Sequence, residues 1–204
     1  MSARERILAR LAGPQPDPSA GETQSLLRAP ERPQIDALHL TESFAAALAA
    51  PSVSATLEQV AALDAVPAAV RAYLDRSGYA GGLYLPPDPV LTALDWRGVA
   101  IEATCPIDGG AALAMATAAV AETGTLVLDT APAAPMLPNF LALHHIVLVR
   151  NETIVAHLED VPAPSAYPRA RYWITGVSGT TDIEGQYVRG AHGPRFLHVL
   201  TIGG

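Results

Sequence analysis

GVSGTTDIEGQYVRGAHGPRFLHVL, residues 176–200, decides how this chain is read. An apolar segment at 172–175 runs into a turn rich in Gly, Ser and Thr, and the stretch ends inside a second apolar run, 196–202, so two strands bracket a loop of small and polar residues. Gly176, Gly179, Gly185, Gly190 and Gly193 permit close backbone approach, Ser178, Thr180 and Thr181 supply hydroxyls, and Asp182 and Glu184 supply carboxylates. With a helix expected to start at Asp182, the backbone amides of Gly176, Ser178 and Thr180 could form a nest for a phosphate or carboxylate. Thr180, Thr181 or Asp182 could equally cap that helix and do nothing more. His192, ahead of Gly193 and Pro194, is a candidate imidazole at a loop edge, or a brace for its own turn.

A second stretch, AETGTLVLD at 121–129, sets Glu122, Thr123, Gly124 and Thr125 at the start of a buried strand. An acid there can act as a nucleophile, a general base or a ligand for a hydroxyl. The structural alternative is pairing with Arg189 or Arg195, or acceptance of backbone hydrogen bonds that fix the loop.

Outward from these stretches the chain alternates. Helices are expected over 35–50, 65–77 and 89–94, and over the Ala-rich 111–118. Strands are expected over 53–57, 82–85, 98–103, 125–128, 172–175 and 196–202, with 145–149 and 153–156 forming a hairpin or two edge strands. Between 157 and 171 the chain is short and Pro-rich for a helix, which predicts an irregular sheet edge. Alternating strands and helices argue for an α/β domain over 35–204 with a mainly parallel sheet. Ligands of such sheets sit beyond the carboxyl ends of the strands, which directs attention to 107–122 and 176–182. Ahead of the domain, residues 1–34 read as an amphipathic helix at 2–12, with Ile7, Leu8 and Leu11 at helical spacing, and a Pro-rich linker at 13–33.

Composition excludes several classes. The net charge is −7 and the chain has no Lys, so the basic stripe of a nucleic-acid binder is missing. One cysteine, Cys105, makes no internal disulfide framework and cannot by itself hold an iron-sulfur cluster. No apolar run reaches the roughly 18 to 20 residues that span a bilayer, and the start, MSARERILARLAG, has neither a signal h-region nor an acid-free transit composition, so a cytoplasmic address is expected. There is no Walker loop, GxGxxG, HExxH or GxSxG. His144, His145, His192 and His198 follow no recognised ligand spacing, so no metal is expected.

ETGTLVL at 122–128, Leu137-Pro138, His145-Ile146, TTDIEGQYVRGAHGPRFLHV at 180–199 and the opening MSARERILARL together resemble the signature of the lactate utilization protein C (LutC/YkgG) family of the LUD domain. The resemblance implies a NagB/RpiA/CoA-transferase-like α/β fold, with a mainly parallel sheet flanked by helices. It also implies a part in bacterial oxidation of L-lactate to pyruvate, in a complex with two iron-sulfur proteins that carry the clusters. A chain with one cysteine, binding no cofactor itself, suits an accessory or small-molecule-binding subunit. The family pattern Gly-Pro-Ser, a basic residue, then Thr-Ala-Asp-Ile-Glu is broken here: Val177 and Gly179 stand where the proline and the basic residue would be. Only amides and hydroxyls then remain to grip an anion in that loop. The competing expectation is an independent enzyme that uses Glu122 on an acyl, CoA or sugar-phosphate substrate, or a small-molecule sensor.

Overall fold

The computed structural model describes residues 2–11, 32–181, 184, 186–190 and 192–203. By contact the chain falls into two compact units, Met1–Pro33 and Gln34–Gly204. In the first, α1 (Ala3–Leu11) starts with a reciprocal cap: the Glu5 amide donates to Ser2 Oγ at 3.2 Å and the Ser2 amide donates to Glu5 Oε2 at 2.6 Å. Its Ile7 and Leu8 are exposed. Residues 12–31, which hold most of the expected linker, lie outside the described residues.

The second unit runs α2 (Leu40–Ala49), β1 (Thr56–Val60), α3 (Val66–Arg76), β2 (Leu83–Tyr84), α4 (Pro89–Thr92), β3 (Ile101–Glu102), β4 (Ala111–Met115), β5 (Ala118–Val120) and β6 (Thr125–Asp129). It continues through α5 (Leu137–Leu141), β7 (His144–Arg150), β8 (Ile154–Val155), β9 (Arg171–Ile174), β10 (Gly179–Thr181), β11 (Tyr187–Arg189) and β12 (Phe196–Ile202). Six of the strands form one wholly parallel sheet in the order β1-β12-β7-β4-β2-β3. The expected α/β class is therefore observed.

The two faces of that sheet explain its sequence. On one side Leu113, Ile146, Leu148 and Leu200 pack against Val66, Val70 and Leu74 of α3, which recur at helical spacing. On the other, Ala114, Val147, Val149, Leu197 and Val199 pack against Phe44 and Leu48 of α2 and against Leu126, Leu128 and Ile154. The last three belong to a second, four-stranded sheet of order β8-β5-β6-β9, in which β5 pairs with β8 in parallel and β6 is antiparallel to both β5 and β9. One flank is thus helical, while the other is a small mixed sheet with α2 beside it.

Two sequence expectations fail here for the same reason. The Ala-rich 111–118 is not a helix: it supplies β4 and the start of β5, with Ala111, Ala112, Ala114, Ala116, Ala118 and Ala119 all buried. Strands covered on both faces are apolar without alternation, and small side chains let layers approach closely, so packing overrides the helix propensity of Ala. Likewise β7 and β8 are neither a hairpin nor a pair of edges. β7 lies inside the parallel sheet and β8 at the rim of the second one. The 157–171 stretch carries only a short helical turn at Leu158–Asp160, as its proline content suggested. Its far end is fixed where Arg171 donates to both carboxylate oxygens of Asp129 (2.7 and 2.8 Å) and to the Pro162 carbonyl at 3.0 Å.

Three histidines are built into β7 and β12. His198 stacks on Tyr73 of α3 with ring centres 4.0 Å apart, and its Nδ1 bonds Thr56 Oγ1 at 2.8 Å; the Tyr73 hydroxyl bonds His144 Nδ1 at 2.9 Å. Burial pushes the imidazoles of His145 and His198 down to about 4 and lowers that of His144. In the unfolded chain each takes a proton near 6.5, so stability is full above that pH and is lost as pH falls from about 6.5 towards 4. Urea unfolding followed at pH steps from 7 to 4.5 is expected to show a steady fall in stability, on the order of 3 kcal/mol per strongly shifted histidine over the whole window. His198→Asn, which keeps a partner for Thr56, is expected to flatten that slope by about one proton; an unchanged slope would show that His198 is not neutral in the fold.

Candidate functional site

The amino ends of β7 and β12 lie side by side, paired Phe196↔His144 and Leu197↔His145. α5 leads into β7, and residues 192–195 lead into β12; at that junction the Arg195 and Phe196 amides both donate to the Leu143 carbonyl at 3.0 Å. Across from them β9 runs on into Gly176, Val177 and Ser178. Gly176 has φ +88°, and a Cβ there would fall 2.5 Å from the Val53 carbonyl oxygen and 2.7 Å from Val53 Cα, so only glycine fits. Beyond it the Val177 amide donates to Val53 O at 3.1 Å, the Ser178 amide to Pro194 O at 2.9 Å, and the Gly190 amide to Ser178 O at 2.8 Å. Gly176 is thus a requirement of close backbone crossing.

These segments enclose a cavity of about 240 Å³ lined by Asn139, Phe140, His145, Trp173, Gly176, Ser178 and His192, among others. Gly176, Ser178, His192 and Gly193, all singled out in the sequence, are therefore brought together. Two more were missed. Asn139 and His145 are 3% and 1% exposed, and Asn139 Oδ1 and His145 Nε2 have no partner. Asn139 Nδ2 donates to Met136 Sδ at 3.5 Å; a thioether only accepts, which fixes the amide orientation and leaves the oxygen free. Buried polar atoms without partners carry a cost of about 1–3 kcal/mol each, and Asn151 Oδ1, His198 Nε2 and Thr201 Oγ1, away from this cavity, share that state.

The position differs from the one expected. This cavity opens at the amino ends of the parallel strands, whereas the cavity at the carboxyl ends of β2 and β4, about 210 Å³, is mostly apolar and shares with the first only Asn139. Thr180 and Glu184 are exposed. Thr180 lies in β10, which pairs antiparallel with β11 (Thr180↔Val188), so strands flank the place where a helix was expected; Asp182 itself lies outside the described residues. The helix start expected at Asp182, and the capping read with it, fall outside the described residues.

Glu122, Thr123, Gly124 and Thr125 form a separate network at the β5–β6 turn. The Glu122 carboxylate is hydrogen-bonded by His157 Nδ1, with both side chains largely covered, and the Glu122 amide donates to Ala156 O at 3.1 Å. His157, not Arg189 or Arg195, is the partner. It is held in place by its own amide, which donates to Asp160 Oδ2 at 3.2 Å. Thr123 Oγ1 bonds Thr125 Oγ1 at 2.7 Å, which bonds Thr175 Oγ1 at 2.6 Å. Gly124, at φ +69°, passes close under Ala47 and Leu48 of α2. None of these four residues lines the cavity that holds Ser178 and His192.

No group of three or more His, Cys, Asp and Glu among the described residues could hold a metal, and no helix among them is long and apolar enough to cross a membrane. Cys105 is buried, and burial pushes its thiol up, away from reactivity.

Residues 110–202, which supply β4 to β12 and the whole candidate cavity, match the LUD domain. The chain is also 38% identical, over an alignment of 94 residues, to "Lactate utilization protein C" of Deinococcus radiodurans; the match takes in 42% of this chain and 42% of that protein, so the chain spans under half the length of the curated relative. A crystal structure of a DUF162 family protein from Deinococcus radiodurans superposes with a TM-score of 0.56 at 20% identity, over 83% of this chain and all of the other, a likeness of fold.

The Glu122–His157 pair holds a turn, and its substitution tests that. Glu122→Gln keeps the shape and loses the charge-assisted bond, so a loss of about 1–2 kcal/mol in urea unfolding is expected. Unchanged stability with lost lactate-dependent turnover would make the acid catalytic instead.

Proposed function

We propose that this chain serves lactate utilization as a cluster-free subunit of a complex that oxidises L-lactate to pyruvate, binding a small molecule or organising its partners while electrons move through two iron-sulfur proteins. The observation that carries the reading is the LUD match over 110–202, because those residues make both the central strands and the cavity with its orphaned Asn139 and His145. The lone buried cysteine supports placing the clusters on other chains. The capped helix α1, with exposed Ile7 and Leu8, supplies an apolar stripe suited to docking on a partner.

Affinity purification from the native host grown on L-lactate is expected to recover cysteine-rich partners in stoichiometric amount, with lactate-dependent dye reduction in the eluate. A protein recovered alone and inactive would overturn the complex. Removing residues 2–11 is expected to lower partner recovery at least tenfold while leaving thermal unfolding of the remaining domain unchanged; undiminished recovery would remove the arm from assembly.

A further inference from the structure

We propose that the cavity at the carboxyl ends of β2 and β4 binds a small, mostly hydrocarbon amine, its apolar body inside the cavity and its ammonium group at the rim beside the Asp88 carboxylate. Such a molecule stands outside lactate oxidation, so this site and the complex proposed above stand or fall separately.

The interior is lined for hydrocarbon. Leu91 and Leu113 are fully covered, Leu128 and Met136 nearly so, and Met115 lies beside them. The space exists because its other walls are short: Ala114, Ala131, Ala133 and Ala134 end at Cβ and do not reach across. It is also held open. Ala131 and Ala134 exchange backbone hydrogen bonds at 3.3 and 2.9 Å, and Pro132 and Pro135 restrict the same turn, so this wall does not fold inward. At about 210 Å³ the cavity is larger than the engineered apolar cavity of about 150 Å³ that stays dry and takes benzene. Water finds few partners in such a space, whereas a ring or branched chain of about six to eight carbons gains dispersion contacts along its walls.

The rim sets the charge of the occupant. Asp88 is half-buried, and its Oδ1 accepts from the Val90 amide at 2.8 Å and the Leu91 amide at 3.1 Å, capping α4. Its Oδ2 takes no hydrogen bond among the described residues. The other carboxylate of the lining is engaged: both oxygens of Asp129 accept from Arg171, which holds that carboxyl below its usual range. Neither Arg nor His lines this cavity, and the chain has no Lys. A carboxylate or phosphate therefore meets a like charge with nothing to offset it. An ammonium at this half-buried rim keeps part of its hydration and gains the free Asp88 oxygen.

Ligand-observed NMR titrations of the full-length chain with benzylamine, benzyl alcohol and benzoate, three molecules of nearly one shape, separate the charge from the hydrocarbon. Benzylamine is expected to saturate and to bind about threefold tighter than benzyl alcohol, with benzoate about threefold weaker than the alcohol. Asp88→Asn keeps the cap, because Asn serves that position as well as Asp does, and is expected to bring benzylamine to the affinity of an unchanged benzyl alcohol. Ala133→Leu, which places a larger side chain at the rim, is expected to abolish benzylamine binding; undiminished binding would put the amine elsewhere and overturn the site. If that variant unfolds, Asp88→Asn decides. Equal affinities for the three probes, tightest binding of the alcohol or the acid, or no saturable binding would overturn the proposal, as would a folded Asp88→Asn chain that keeps the preference. Each of those outcomes leaves partner recovery and lactate-dependent dye reduction untouched.

Discussion

The pairing of β12 with β7, in register from Phe196↔His144 to Ile202↔Arg150, is the interaction on which the rest of the structure depends. It inserts β12 between β1 and β7, inside the parallel sheet, and both strands are covered on both faces. That double burial dictates what lies above and below. Ile146, Leu148 and Leu200 need α3, while Val147, Val149, Leu197 and Val199 need α2 and the second sheet. A one-residue slip would exchange those two sets and place His145 where Ile146 meets α3. Because the pair begins at His144 and Phe196, the loops that deliver the chain to these residues must meet above them, and the candidate cavity is the space they leave.

How much of this was legible in the sequence depends on how each segment is covered. The run 196–202 was read to the residue because β-branched and bulky apolar side chains end at Gly203. α3 was legible from Val66, Val70 and Leu74 and from Gly78, whose φ of +69° stops the helix. The 111–118 segment misled because Ala has no shape by which to tell a strand pressed between two layers from a helix; only the neighbours decide. β1 is displaced from the expected 53–57 to Thr56–Val60 because Val53 is taken up by the crossing with Gly176 and Val177, a contact more than a hundred residues away in sequence.

The site divides in the same way. Gly176, Ser178 and His192 were legible because glycines and polar residues have no reason to crowd beside a buried strand unless backbone must cross there. Asn139 and His145 were not, because each sits inside an apolar run, LPNFL and HHIVLV, where a polar residue passes for an exposed one. The signal was present in the periodicity: in a strand buried on both faces, position 145 cannot reach water. A histidine there is neutral, and its free nitrogen asks for a partner that the protein does not supply.

The two polar constellations read in the sequence are joined through adjacent residues. Thr175 reaches Thr125 and, through it, Thr123 at the β5–β6 turn, while Gly176 lies against Val53 and opens the cavity wall that continues to Ser178. The Glu122–His157 pair fixes the same turn from its other side, through the Ala156 carbonyl. The turn therefore acts as the footing of the wall. Loosening it lets Thr175 move, and Gly176 has no slack to absorb that movement, since its backbone already touches Val53. A close-packed crossing transmits displacement where a side-chain contact would yield. The acid at 122 thus bears on the cavity wall without lining the cavity.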